Sequence, residues 1–128
     1  MRELGSSQPT AVELEILRIL WELEPCPVRD IHARLFEAKG TNYSTTVKML
    51  SVMLQKGLVT RNENVNPHVY RAALTRQRAA KKFLGELVEK VYDGSVMSLV
   101  LQALAGGNVS KDEIVEVRKL LDEMEGKS

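Results

Sequence analysis

The sequence predicts a mainly α protein with one small β-hairpin, and three observations carry that expectation. Apolar residues recur at helical spacing in successive stretches along the 128 residues. The four prolines, Pro9, Pro25, Pro27 and Pro67, all fall where helices would start or stop. Between Leu58 and Ala72 the pattern changes to two short β-branched runs around an Asn- and Pro-rich loop.

The first helix lies in "PTAVELEILRILWELEP", with Thr10 as N-cap and Glu13 as its capping-box partner. Leu14, Leu17 and Trp21, flanked by Ile16 and Leu20, give it a wide apolar face, and Pro25 ends it. A second, shorter helix follows in "VRDIHARLFEAKG", with Val28, Ile31 and Leu35 inward and Gly40 as the stop. The third runs from Asn42 or Tyr43 to Lys56, closed by Gly57. At about 100° per residue, Val47, Leu50 and Leu54 share its inner face, with Thr46 and Met53 on the flank. Lys48 points the other way, among Ser44, Thr45, Val52 and Gln55. Strands are expected at Leu58–Arg61 and Val69–Ala72.

From Thr75 the chain reads as helices alone. Phe83, Leu84, Leu87, Val88 and Val91 form one stripe; "SVMSLVLQALA" is apolar nearly all round; Ser110 and Glu113 start a last helix bearing Ile114, Val117, Leu120, Leu121 and Met124. Three such helices bury little surface alone, so a two-fold partner is expected to supply the missing layer. The chain therefore divides into a domain at 1–74 and a three-helix tail at 75–128.

Charge follows the same division. The net charge is +1, but residues 34–74 carry six Lys/Arg against two Asp/Glu and residues 75–92 five against two, whereas 1–33 and 93–128 are each net −3. A basic middle suits a polyanion partner. Cys26 is the only cysteine, so no internal disulfide forms, and between two prolines it reads as a small apolar residue in a reducing, cytoplasmic setting. No signal peptide is recognisable, and "VMSLVLQALA" is too short to span a bilayer, so no membrane insertion is expected. His32 and His68 lack the neighbours of a metal site; no HExxH, G-x-S-x-G or Walker loop occurs. Neither catalysis, metal nor cofactor is expected. Trp21, Phe36 and Phe83 sit in apolar stripes and read as core or interface anchors, not as stacking platforms for bases.

Three helices followed by a hairpin is the order of a winged helix-turn-helix domain, here followed by a helical dimerisation tail. In that architecture the helix before the hairpin enters the DNA major groove, roughly 12 Å wide, and the wing lies along the backbone.

With both parts in view, the chain resembles the BlaI/MecI family of bacterial transcriptional repressors. "ELEILRILWE", "YSTTVKMLSVMLQKGLV" and "HVYRA" resemble that family's N-terminal domain. "VYDGSVMSLVLQAL" and "SKDEIVEVRKLLDE" resemble its tail, so the similarity covers about residues 9–124. The resemblance implies a homodimer on palindromic, double-stranded operator DNA. On composition alone the outer face of the third helix reads as a solvated surface; with the resemblance, Ser44, Thr45, Lys48, Val52 and Gln55 become DNA-contacting residues. Lys48 would reach a guanine and Val52 a thymine methyl. Arg61, Arg71 and His68 would meet phosphates from the hairpin. Phe83, Leu87, Val91, Val96, Leu99, Val100, Leu104, Ile114, Val117 and Leu121 would form the dimer interface.

Several members of the family are inactivated when a membrane-bound sensor metalloprotease, triggered by a β-lactam, leads to cutting in the apolar tail helix. The equivalent bond here is Gln102–Ala103, where Gln-Ala stands in place of the Asn-Phe of members known to be cut. The opposing reading makes Leu99–Leu104 simple tail core and ends repression through a small ligand or falling protein concentration. The copper-responsive branch carries a Cys-rich C-terminal hook, which "DEMEGKS" lacks. A winged helix that binds a protein in place of DNA is the alternative function, and an enzyme using Cys26 a third.

Overall fold

The computed structural model describes residues 9–126. They run α1 (Ala11–Leu23), α2 (Val28–Lys39), α3 (Tyr43–Lys56), β1 (Val59–Asn62), β2 (Val69–Ala72), α4 (Arg76–Val91), α5 (Val96–Gly106) and α6 (Lys111–Met124). This is the mainly α winged-helix chain, with its helical tail, that the sequence predicts. By contact it forms two compact units, one ending at Phe83 and the other beginning at Leu84, so that the division falls inside α4.

In the first unit, local chemistry sets the helix ends. Thr10 Oγ1 accepts from the Glu13 amide at 3.2 Å while the Glu13 carboxylate accepts from the Thr10 amide at 2.9 Å, the reciprocal capping box. Gly57, at φ +80°, lets the Gly57 amide reach Leu54 O and the Leu58 amide reach Met53 O. That Schellman closure satisfies the last carbonyls of α3 and turns the chain straight into β1. Leu58 is used up in this turn, so the strand starts at Val59, one residue later than the sequence pattern suggested.

β1 and β2 pair antiparallel, with Val59 opposite Ala72, Thr60 opposite Arg71, Arg61 opposite Tyr70 and Asn62 opposite Val69. The hairpin is anchored on the α1–α2 turn: Cys26 and Tyr70 exchange two backbone hydrogen bonds, and Glu24 Oε1 accepts from the Ala72 amide at 2.7 Å. Ile16, Leu17, Ile19, Leu20, Ile31, Leu35, Leu50, Met53, Val59 and Tyr70 form the core. Each large apolar side chain buried there contributes about 1.5–3 kcal/mol.

Two expected inward residues are not core. Leu14 is exposed and Ile19 is buried instead; Val47 is 42% exposed while Thr46, expected on the flank, is fully buried with Leu50 and Met53; of the core and interface alternatives for Phe36, its 56% exposure removes the core. The inner face of α3 is thus rotated by part of a turn from the one read off its aliphatic residues. A buried hydroxyl is tolerated because Thr46 Oγ1 has partners, Asn42 O at 3.3 Å and His32 Nδ1 at 3.1 Å.

The second unit is sparse. Ser95 caps α5, and Ser110 with Glu113 forms the expected capping box at the start of α6. Neither helix contains a buried residue, and Val91, Leu101 and Met124 stand 61%, 60% and 72% exposed. No helix among the described residues is long and apolar enough to cross a membrane.

Candidate nucleic-acid interface

With Thr46, Leu50 and Met53 buried, helical periodicity points Ser44, Lys48, Ser51 and Gln55 directly outward. Ser51 belongs to this face, although the sequence reading did not single it out. It is i+3 from Lys48 and i−4 from Gln55, so spacing alone could have placed it. Thr45 and Val52 flank the row, and all six residues are exposed. From Ser44 to Gln55 the row is about 16 Å long at 1.5 Å per residue.

The face is held in place from both ends. At its start, Asn42 Oδ1 accepts from the Thr45 amide at 2.9 Å and from the Ser44 hydroxyl at 3.0 Å. The Ser44 proton is therefore committed inside the protein, which leaves its oxygen as an acceptor. Beneath the first turn, His32 meets Thr46 and packs against Tyr43 edge-on at 5.3 Å and against Phe36 at 5.9 Å. At the far end, Lys56 Nζ donates to both carboxylate oxygens of buried Glu13, at 3.0 and 2.9 Å. Lys48, in contrast, has no hydrogen bond or ion pair among the described residues. It is an uncommitted cation at the centre of a rigid row of short hydrogen-bonding side chains.

On the hairpin the two arginines differ. Directly opposed residues share a face, so Arg61 goes with Tyr70 and Arg71 with Thr60. Arg61 Nε donates to Glu63 Oε2 at 3.0 Å and Nη1 to Tyr70 Oη at 3.4 Å, with the guanidinium 6.0 Å from the ring centre. The Tyr70 hydroxyl and then Glu63 raise the guanidinium's affinity for its proton, and Arg61 holds the Glu63 carboxyl below its ordinary range. Its charge is largely answered within the hairpin. Arg71, on the outward face, carries no partner among the described residues. His68 is exposed in the loop between the strands.

An open groove of about 570 Å³ joins that loop to the starts of α2 and α3, lined by Arg29, Tyr43, Asn66 and His68 among others. Arg29 is not a candidate on the sequence, because it belongs to the acidic segment 1–33. The fold brings it to the same groove as His68.

Cys26 is buried, and desolvation first, then Asp30 and Glu24, push its thiol up to about 11. A neutral buried thiol is a poor nucleophile. Among the described residues no group of three or more His, Cys, Asp or Glu side chains could hold a metal ion.

Residues 9–123 match the protein family described as Penicillinase repressor. The chain is 24% identical over 113 residues to the methicillin resistance regulatory protein MecI of Staphylococcus aureus strain N315, covering 88% of this chain and 92% of that one. It is 22% identical over 116 residues to the penicillinase repressor of Bacillus licheniformis, covering 91% of each. Among solved structures, a MarR family transcriptional regulator from Silicibacter pomeroyi DSS aligns with a TM-score of 0.48 at 22% identity, over 98% of this chain and 75% of that one.

Proposed function

The chain belongs to the penicillinase repressor family, and on that premise we propose that this transcriptional repressor acts as a cytoplasmic homodimer on palindromic operator DNA. The observation that carries the proposal is the outer face of α3. Lys48 is unpaired, Ser44, Thr45, Ser51 and Gln55 surround it, and the helix is seated by fixed contacts from α1 and α2. A preorganised row of this kind can be inserted into a major groove at little entropic cost. Arg71, with Arg29 and His68 along the neighbouring groove, would neutralise backbone phosphates, and Arg61 would do so only by exchanging Glu63 for a phosphate.

Dimerisation would follow from the tail. Leu87, Val91, Val96, Leu104, Ile114 and Leu121 are exposed, while Phe83, Leu99, Val100 and Val117 are half-buried. Apolar area on that scale favours a partner surface, and a second copy would present the same stripes by two-fold symmetry. Reading would then fall to the part before the expected 74/75 boundary and pairing to the part after it, although the compact units divide later, inside α4. Two linked domains gain about 10²–10⁴ in avidity over one, and their half-sites would lie about one helical turn apart, or a multiple of it.

Loss of that avidity is a route to induction. Cutting Gln102–Ala103 by a membrane-bound sensor metalloprotease would remove α6 and the end of α5. Both residues are exposed, but the bond lies inside α5, so the helix must unwind locally before a protease can engage it. Immunoblotting cells treated with a β-lactam tests this step: a fragment of about 102 residues should accompany derepression, and derepression with intact protein alone would refute it. Operator binding itself is tested by retardation of a palindromic fragment at increasing salt, where affinity should fall log-linearly as counterions return to the phosphates.

A further inference from the structure

Away from the outer face of α3, the first unit contains a partly open pocket of about 200 Å³. Leu17, Trp21, Leu74 and Phe83 supply apolar wall, and Lys56 and Lys82 stand among the lining residues. Two of its lining side chains have partners within the fold. The Trp21 indole N–H donates to Leu74 O at 2.9 Å, with the Arg76 guanidinium 5.7 Å from the ring. Lys56 is tied to Glu13.

The charges around this cavity are unbalanced. Glu13 answers Lys56, which keeps one of its three N–H donors. Lys82 has neither ion pair nor hydrogen bond among the described residues. An apolar cavity of about 150 Å³ takes up benzene, so this one has room for a single ring or a short branched chain, with an anionic group at the cationic edge.

We propose that this cavity is a binding site for a small carboxylic acid whose apolar body packs on Trp21, Leu17 and Phe83 and whose carboxylate pairs with Lys82. The site does not depend on the DNA-binding reading, and it is tested without DNA. Trp21 is the only tryptophan of the chain, so its fluorescence reports the cavity directly. Benzoate titrated into the full-length protein should give a saturable change at sub-millimolar concentration. Benzyl alcohol, the same size but neutral, should bind about tenfold more weakly, the loss expected for a charge-assisted contact. Lys82→Gln should weaken benzoate binding about tenfold and leave benzyl alcohol unchanged. Ala73→Leu, an exposed residue at the lining, should obstruct both. Circular dichroism checks that the two variants are folded. Absence of a saturable change overturns the site; so do equal affinities for acid and alcohol, or a folded Lys82→Gln or Ala73→Leu protein that binds benzoate as the parent does.

Discussion

Removing either partner of the Glu13–Lys56 pair should destabilise the winged domain by different amounts, and the order of the two is the test. Glu13 is 3% exposed, whereas the Lys56 side chain is 42% exposed. Replacing Glu13 with Gln deletes the buried charge. An amide oxygen can still accept from the Thr10 amide and from Lys56, whose ammonium is already half in water, so the expected cost is about 1 kcal/mol. Lys56→Ala instead leaves a buried carboxylate with the Thr10 amide as its remaining donor. Stranding one member of a buried pair typically costs about 3–5 kcal/mol; water entering where the lysine stem stood should keep the value near 3. Urea unfolding followed through Trp21 would read the two costs as shifts in midpoint at constant m-value. If Glu13→Gln proves as damaging as Lys56→Ala, the buried carboxylate is not what makes the pair matter, and the reasoning fails.

Other consequences are as direct. His32→Ala removes the support beneath the first turn of α3, and should cost about 1 kcal/mol of stability while lowering operator affinity on every sequence alike, measured by retardation assays. Arg71→Ala should flatten the salt dependence of a dimer by about 0.9 in slope for each of its two lost phosphate contacts. Arg61→Ala should flatten it less, because Glu63 already answers that charge. Cys26 should resist iodoacetamide at pH 8 in native protein and react readily in urea, since burial holds the thiol neutral up to about 11. Above the thiol's ordinary range the unfolded chain releases this proton and the folded one keeps it, so the thiol's contribution makes stability fall as pH rises toward 11. Native and Cys26→Ala protein, unfolded in urea across that range, should differ in that slope.

Much of this architecture is legible in the sequence because it is written in local chemistry. Thr10 with Glu13, Ser110 with Glu113, and the left-handed glycines at 40 and 57 mark helix ends through contacts within a few residues. What escapes is decided across the fold. The rotation of α3 depends on His32, fourteen residues earlier in sequence, giving the Thr46 hydroxyl a buried partner. The seat of Lys56 depends on Glu13, forty-three residues away. A capping-box glutamate gives no hint that it also receives a lysine. Arg61 is a different case: Glu63 lies only two residues on, just past the end of β1, within easy reach of the guanidinium. The pairing that sets Arg61 apart from Arg71 could have been read from "RNE". Arg29 needed the folded chain, because only there does it share a groove with His68.

The central claim is that the outer face of α3 reads operator sequence, with Lys48 at its centre. Affinity of the parent and of Lys48→Ala should be measured by retardation on a set of operator fragments, each changed at one base pair per half-site. The substitution is at an exposed, unpaired residue, so the protein should melt as the parent does. Operator binding should weaken by roughly 1–3 kcal/mol, with the preference lost at one position per half-site and retained elsewhere. A Lys48→Ala protein that binds the whole set with the parent's affinity and the parent's preferences would contradict the account.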